Sequence, residues 1–226
     1  MTRLEVDAQI RSIGILPAVR VSSADDALFA AYELSHAGIP IIEITVTDVS
    51  TLDAISELAK RDDSIIVGAG EVIHVEIARQ CHSAGAMFIT SPGFDRDVVE
   101  FAHLKDTSVF PGALTPTEVI NAWRAGSDFV KIFPCANVGG ARYIRALKAP
   151  FPDIPMIASG GVNAETAADF IRAGANALGV GTALVPRESI QLRQASRIRN
   201  LALRFHKIIG ETRAEMEFLK QNHDKK

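Results

Sequence analysis

The residue with the most chemical promise in this 226-residue chain is Lys131, set in the apolar run Phe129-Val130-Lys131-Ile132-Phe133-Pro134. An ammonium is costly to hold among such neighbours, so burial favours the neutral amine, the form that attacks carbonyl carbon. A strand-end lysine that drapes its stem over apolar neighbours and keeps its head in water explains the same run without chemistry. Glu43, flanked by Ile42 and Ile44, is the second candidate. A desolvated carboxylate facing the same space as an amine can move protons to and from a carbonyl adduct. If Glu43 is only the ion-pair partner of the lysine, it does no such work. The choice depends on where the chain puts the two side chains.

Both residues sit in short apolar runs, and such runs recur. They are Ile15 to Val21, Ile41 to Thr45, Ile65 to Ala69, Met87 to Thr90, Ser108 to Phe110, Phe129 to Phe133, Pro155 to Ser159 and Ala177 to Val180. Helix-period segments fit over Ala24 to His36, Thr51 to Lys60, Val75 to Ala84, Asp95 to His103, Pro116 to Ala125, Ala141 to Lys148, Ala164 to Ala173 and Ile190 to Ile209. Ala-Gly pairs at 37–38, 84–85, 125–126 and 173–174 mark helix ends, where glycine accepts the left-handed conformation. A strand followed by a helix, eight times over, predicts an α/β fold: a (β/α)8 TIM barrel in one domain over 1–226, with the barrel at 13–209. A doubly wound open sheet is the alternative that the same alternation allows. Residues 3–12 predict an extra N-terminal helix closing the barrel's bottom, and 211–226 a charged tail that frays.

Barrels of this kind do their chemistry at the C-terminal ends of the strands, so polar residues there become candidates. In chain order these ends read Arg20, Glu43 to Thr47, Gly68 to Glu71, Thr90 to Gly93, Pro111-Gly112, Lys131, Ser159-Gly160-Gly161 and Gly181-Thr182. The last two follow strands seven and eight, the usual phosphate position, where peptide N–H groups and the Ser159 and Thr182 hydroxyls would hold an anion. Serine and threonine at loop starts also serve as plain helix caps. A formal net charge of −3 and the lack of a basic stripe with interleaved aromatics argue against nucleic acid and make a small metabolite the better partner. Neither a P-loop nor a dinucleotide fingerprint is present. No segment approaches the apolar length of a membrane span and the N-terminus lacks a signal-peptide core, so the expected location is cytoplasmic. Cys81 and Cys135 form neither a disulfide framework nor a zinc spacing, and Cys135 reads as a buried filler. Glu71 and His74, spaced i, i+3, come nearest to a metal pair, but the other histidines fall on helices or the tail. The expectation is no metal and no cofactor.

Taken as an ordered set, the strand ends resemble the family of 2-keto-3-deoxy-6-phosphogluconate (KDPG) and 2-keto-4-hydroxyglutarate (KHG) aldolases. The stretches that match are Ile42-Glu43-Ile44-Thr45, Gly68-Ala69-Gly70, Ser91-Pro92-Gly93, Phe110-Pro111-Gly112 with Thr115-Pro116-Thr117-Glu118, Val130 to Pro134 and Ser159-Gly160-Gly161-Val162. They cover the chain from about Ile15 to Pro186. The resemblance implies a class I aldolase that cleaves a 2-keto-4-hydroxy acid, with or without a phosphate, into pyruvate and an aldehyde. It further implies a homotrimer. In it Lys131 forms the Schiff base and Glu43 is the general acid/base. Pro92 and Phe133 line the pocket, while Ser159, Gly160, Gly161 and Thr182 match positions that contact the substrate or its phosphate. A protonated imine is an electron sink, so such a C–C bond can break without a metal.

Two positions depart from the family's pattern. Thr47 stands where the best-known members have an arginine that grips the substrate carboxylate. Some relatives place an arginine at the end of strand one instead, and Arg20 fits that variant, with a guanidinium suited to bidentate recognition. The second departure is Glu71, where the pattern Gly-Ala-Gly-Thr puts a hydroxyl on the pyruvate carboxylate. A neutral hydrogen bond of about 1 kcal/mol would give way to a like-charge contact of roughly 4 kcal/mol at about 4 Å and an effective dielectric of about 20. Pairing with Arg20, sharing a proton beside Glu43, or turning away would each relieve it. Failing those, the substrate is an altered one that lacks this carboxylate or presents a hydroxyl or amine to Glu71. A non-catalytic relative that binds a sugar phosphate is the rival from another class, and the presence of both Lys131 and Glu43 argues against it.

Overall fold

Strands and helices alternate along the computed structural model, which describes residues 1–21, 23–61 and 64–223. The strands are β1 (Ile15–Val19), β2 (Ile41–Thr45), β3 (Ile66–Gly70), β4 (Phe88–Thr90), β5 (Ser108–Phe110), β6 (Gly112–Ala113), β7 (Val130–Ile132), β8 (Met156–Ser159) and β9 (Ala177–Val180). The helices are α1 (Arg3–Ile13), α2 (Ala24–His36), α3 (Val49–Arg61), α4 (Val75–Ser83), α5 (Arg96–Leu104), α6 (Pro116–Arg124), α7 (Ala141–Lys148), α8 (Ala167–Arg172), α9 (Arg187–Gln191) and α10 (Ala195–His223). All strand pairs are parallel, in the order β5-β4-β3-β2-β1-β9-β8-β7-β6. The ninth strand is only apparent. β5 and β6 flank Pro111, which has no N–H to give a ladder; β5 pairs with β4 on one side and β6 with β7 on the other. One interrupted strand therefore closes an eight-stranded (β/α)8 barrel.

Period-two alternation explains what fills it. Leu16, Ile41, Ile66, Phe88, Phe110, Phe129, Ile157 and Ala177 form one buried interior cluster with Val6 and Ile10 of α1, which plugs the bottom. The residues between them, such as Ile42, Ile44, Val130 and Ile132, face outward into the larger cluster under the helices. Two positions further along each strand, the inward set becomes Ala18, Glu43, Gly68, Thr90, Gly112, Lys131, Ser159 and Gly179. Here the apolar filling stops. Ala18, Gly68, Gly112 and Gly179 contribute little or no side chain, so polar groups and space replace hydrocarbon.

Helix ends follow local chemistry. Thr2 caps α1 and Thr115 caps α6, each in a reciprocal capping box with the glutamate three residues on. Gly85, just past α4, sits at φ 101°, the conformation its Ala-Gly pair predicts. The C-terminal region differs from expectation. The segment expected as one helix over Ile190 to Ile209 is broken between α9 and α10, where Arg193 adopts φ 51° and pairs with Asp25 and Asp26. The stretch from 211, expected to fray, continues α10 as helix to His223, and residues 224–226 lie outside the described residues. Ile198, Ala202, Phe205, Ile209 and Thr212 form its buried stripe, and Arg213 donates to the carbonyls of Ser12 and Asn176. Those two bonds tie the charged segment to the barrel's underside. Among the described residues no helix is long and apolar enough to cross a membrane.

The bottom of the barrel holds a strained charge. Arg3 pairs with Asp128 at 2.6 Å, and Asp128 also accepts the Val109 N–H at 2.9 Å. Asp7 is buried beside them with an unpartnered Oδ1. Burial first, and then the charge of Asp128, push its carboxyl up to about 7. An acid raised in the folded state keeps a proton that the unfolded chain has lost, so this group lowers stability as pH rises from about 4 to about 7. Asp7→Asn keeps a donor toward Asp128 without the titration. It is expected to raise Tm above pH 7 and to flatten the decline between about pH 4 and about pH 7. Parallel melting profiles for the two proteins would show that Asp7 does not set that slope.

Candidate functional site

A cavity of about 420 Å³ opens at the C-terminal ends of the strands, lined by Arg20, Glu43, Thr45, Glu71, Lys131, Phe133, Ser159, Gly160, Gly161 and Thr182 among others. Lys131 projects from β7 into its floor and Glu43 from β2, opposite. Their side chains are 8% and 3% exposed, and Lys131 Nζ lies 3.7 Å from Glu43 Oε1. That separation is ion-pair range and too long for a direct hydrogen bond. The amine instead donates to Thr90 Oγ1 at 3.2 Å and sits 5.8 Å from the centre of the Phe133 ring. The snorkelling alternative for Lys131 does not hold, because its head is inside the barrel with its stem.

The backbone around this pair is shaped to admit it. A Cβ on Gly70 would stand 2.1 Å from Glu43 Oε1, so a side chain there and the observed glutamate rotamer exclude each other. At the far wall Gly160 and Gly161 have φ 86° and 82°, and a Cβ on Gly161 would meet Ala136 at 2.4 Å. Their left-handed turn lays bare peptide along the cavity between β8 and α8. Cys135 is buried behind this loop with its thiol toward the Gly160 carbonyl, and burial pushes that thiol up to about 11. It is therefore a packed thiol and no nucleophile.

At the mouth, Arg20 and Glu71 form a direct ion pair, with side chains 41% and 42% exposed. Glu71 stands at φ 61°, a left-handed position just after β3 that aims its carboxylate across at the end of β1. Of the relief routes open to Glu71 in the sequence, pairing with Arg20 is the one adopted. Not every candidate reaches the cavity. Thr47 is exposed beside Asp48 and lines a neighbouring cavity of about 330 Å³, together with Arg20, Thr45, Ser50 and Arg187. Pro92 does not line this cavity; a Cβ on Gly112 would stand 2.1 Å from its carbonyl oxygen. Sequence reasoning missed Thr90 as the amine's hydrogen-bond partner, although the inward alternation of β4 points to it. It also missed Arg187, Asn163 and Val185 on the wall, because loop residues carry no periodic signal.

Comparison with known proteins agrees with this arrangement. The family model described as KDPG and KHG aldolase matches residues 6–201. A 2-dehydro-3-deoxy-phosphogluconate aldolase of Treponema pallidum is 28% identical over 201 residues, which span 89% of this chain and 96% of that one. The enzyme of that name from Pseudomonas aeruginosa is 31% identical over 166 residues, 74% of this chain and 76% of that one. A solved KDPG aldolase from Legionella pneumophila, with pyruvate captured at low pH as a covalent carbinolamine intermediate, superposes with a TM-score of 0.80 at 25% identity and covers 87% of this chain and 96% of that chain.

The Gly70 contact yields a direct test of the site's geometry. Gly70→Ala is expected to destabilise the protein by about 1–3 kcal/mol, the usual range for overpacking. The same change made in a Glu43→Ala background should cost much less, since the clashing atoms are gone. Denaturant unfolding of the four proteins in that cycle measures the coupling, and additive costs would place Glu43 elsewhere.

Proposed function

The chain belongs to the KDPG and KHG aldolase family, and on that premise we propose that it cleaves a 2-keto-4-hydroxy acid into pyruvate and an aldehyde through an imine on Lys131. The observation that supports this most is a buried amine opposite a buried carboxylate at 3.7 Å, inside an open cavity. Nζ attacks the keto carbon, and the resulting carbinolamine hydroxyl, two bonds from Nζ, falls within reach of Glu43. Glu43 protonates that hydroxyl, water leaves, and the protonated imine forms. Removal of the proton from the 4-hydroxyl then breaks the C3–C4 bond. The electron pair moves toward the imine nitrogen, giving an enamine and a free aldehyde. Protonation of the enamine at C3 and hydrolysis of the imine release pyruvate and restore the amine.

In this proposal Arg20 takes the carboxylate next to the keto carbon, Phe133 covers the apolar side, and Ser159, Gly160, Gly161 and Thr182 receive the far end of the substrate. No metal or cofactor is required, because the imine accepts the electrons. Homotrimeric assembly belongs to the same proposal. Glu71 is the element that tunes it, since it occupies Arg20 until a substrate carboxylate arrives. Both groups are more than a third exposed, so opening their pair costs on the order of 0.2–1 kcal/mol.

Reduction with borohydride in the presence of pyruvate should add the reduced pyruvyl mass to the peptide that contains Lys131. The absence of any adduct at saturating pyruvate would remove the reading, and an adduct formed only with another keto compound would favour an altered substrate. Glu71→Thr should tighten pyruvate binding up to about fivefold, the equivalent of roughly 1 kcal/mol. Arg20→Ala should abolish that gain. If the affinity in the single Glu71 variant is unchanged, Glu71 does not compete for Arg20.

A further inference from the structure

The cavity is lined by three cations, and they are not equivalent. Lys131 faces Glu43, and Arg20 is held by Glu71. Arg187, the first residue of α9, lines the same cavity and has no ion-pair partner among the described residues. The carboxylates around it are engaged elsewhere. Its chain neighbour Glu188 pairs with Arg197 at 3.1 Å. In the adjoining cavity, which Arg187 also lines, Asp26 pairs with Arg193 at 3.0 Å and Asp48 accepts the Ser50 N–H at 2.9 Å. Arg187 is thus a guanidinium that faces the cavity with no ion pair among the described residues.

The seat proposed for the far end of the substrate has the opposite deficiency. Ser159, Gly160, Gly161 and Thr182 offer hydroxyls and peptide N–H groups and no charge. An anion withdrawn from water onto neutral donors alone keeps much of its desolvation cost, which a nearby cation offsets. Thr182 follows β9 and Arg187 opens α9, and buried Leu184, Val185 and Ile190 pin the chain around both. One anchored stretch of chain therefore presents a hydroxyl and a guanidinium to one cavity.

Resting on the aldolase reading, we propose that Arg187 is a specificity-determining residue, whose guanidinium binds an anionic group at the end of the substrate remote from the keto carbon. The planar fork of arginine suits a carboxylate and a phosphate alike. The ligand class is a 2-keto-4-hydroxy acid with a terminal anion, and Arg187 supplies the charge that separates it from uncharged homologues.

The test is steady-state cleavage of three 2-keto-4-hydroxy acids that end in a phosphate, a carboxylate or an uncharged hydroxymethyl group, by the native protein, Arg187→Gln and Arg187→Lys. Arg187→Gln is expected to lower kcat/KM for at least one anion-ended compound tenfold or more beyond its effect on the uncharged one, with Arg187→Lys intermediate. Whichever anion-ended compound loses more identifies the terminal group. Equal losses on charged and uncharged compounds would overturn the role of Arg187 and leave the aldolase reading standing. If the native protein cleaves none of the three and forms no pyruvate adduct at Lys131, both readings fall together.

Discussion

An amine and a carboxylate held 3.7 Å apart, almost out of solvent, are the interaction around which the barrel is organised. Neither charge is tolerable there alone. Deleting one partner of a buried pair strands the other at a cost of about 3–5 kcal/mol. The surroundings accordingly do three things at once. The interior cluster below, from Leu16 to Ala177, seals the floor with hydrocarbon and the plug of α1. Gly70 gives up its side chain so that Glu43 can occupy the space. Thr90 satisfies the amine at 3.2 Å without adding a charge. The chemistry of the site and the packing of the fold thus share the same few residues, and a change to any of them is felt in both.

Charge in the cavity is graded by depth. The Lys131–Glu43 pair is buried, the Arg20–Glu71 pair is about two-fifths exposed, and Arg187 lies exposed on the rim. Coulomb's law makes the deep pair strong and unresponsive to salt, and the outer groups weak and readily exchanged. That ordering fits a division of labour in which the deep groups make and break bonds. Under the proposed function the outer groups would choose what enters, because interactions that cost little to open can be traded for contacts with a substrate.

Much of this was legible in the sequence, for a physical reason. Strands buried on both faces read as apolar runs, and the period-two rule then places any polar residue within a run on a known face. Lys131 follows Phe129 and Glu43 follows Ile41, so both had to point inward. Thr47 and Pro92 stand outside the cavity that holds Lys131 because they lie past the strand ends, where alternation no longer fixes direction. Arg187 was invisible for the same reason. The extension of α10 through 223 was missed because its tethers are polar: Arg213 reaches two carbonyls of the barrel's underside, and Glu215 pairs with Arg172 of α8 at 2.8 Å. No hydrophobic pattern reports such bonds. The break before α10 depends likewise on Arg193 finding two aspartates on α2, a tertiary event.

The residue that looked most disruptive in the sequence shows how exposure decides electrostatic magnitude. An inward, unpaired Glu71 would oppose a substrate carboxylate by roughly 4 kcal/mol at an effective dielectric of about 20. Its left-handed backbone instead turns the carboxylate to Arg20 at the mouth, where solvent reaches both groups. At a dielectric near that of water the same contact is worth about 1 kcal/mol. The opposing charge is also already cancelled by a guanidinium that a substrate carboxylate can share. Glu71 therefore need not bar an α-keto acid from the cavity. On the proposed reading it would set a modest threshold for access to Arg20, which a ligand with a well-placed carboxylate crosses and one without it has no reason to.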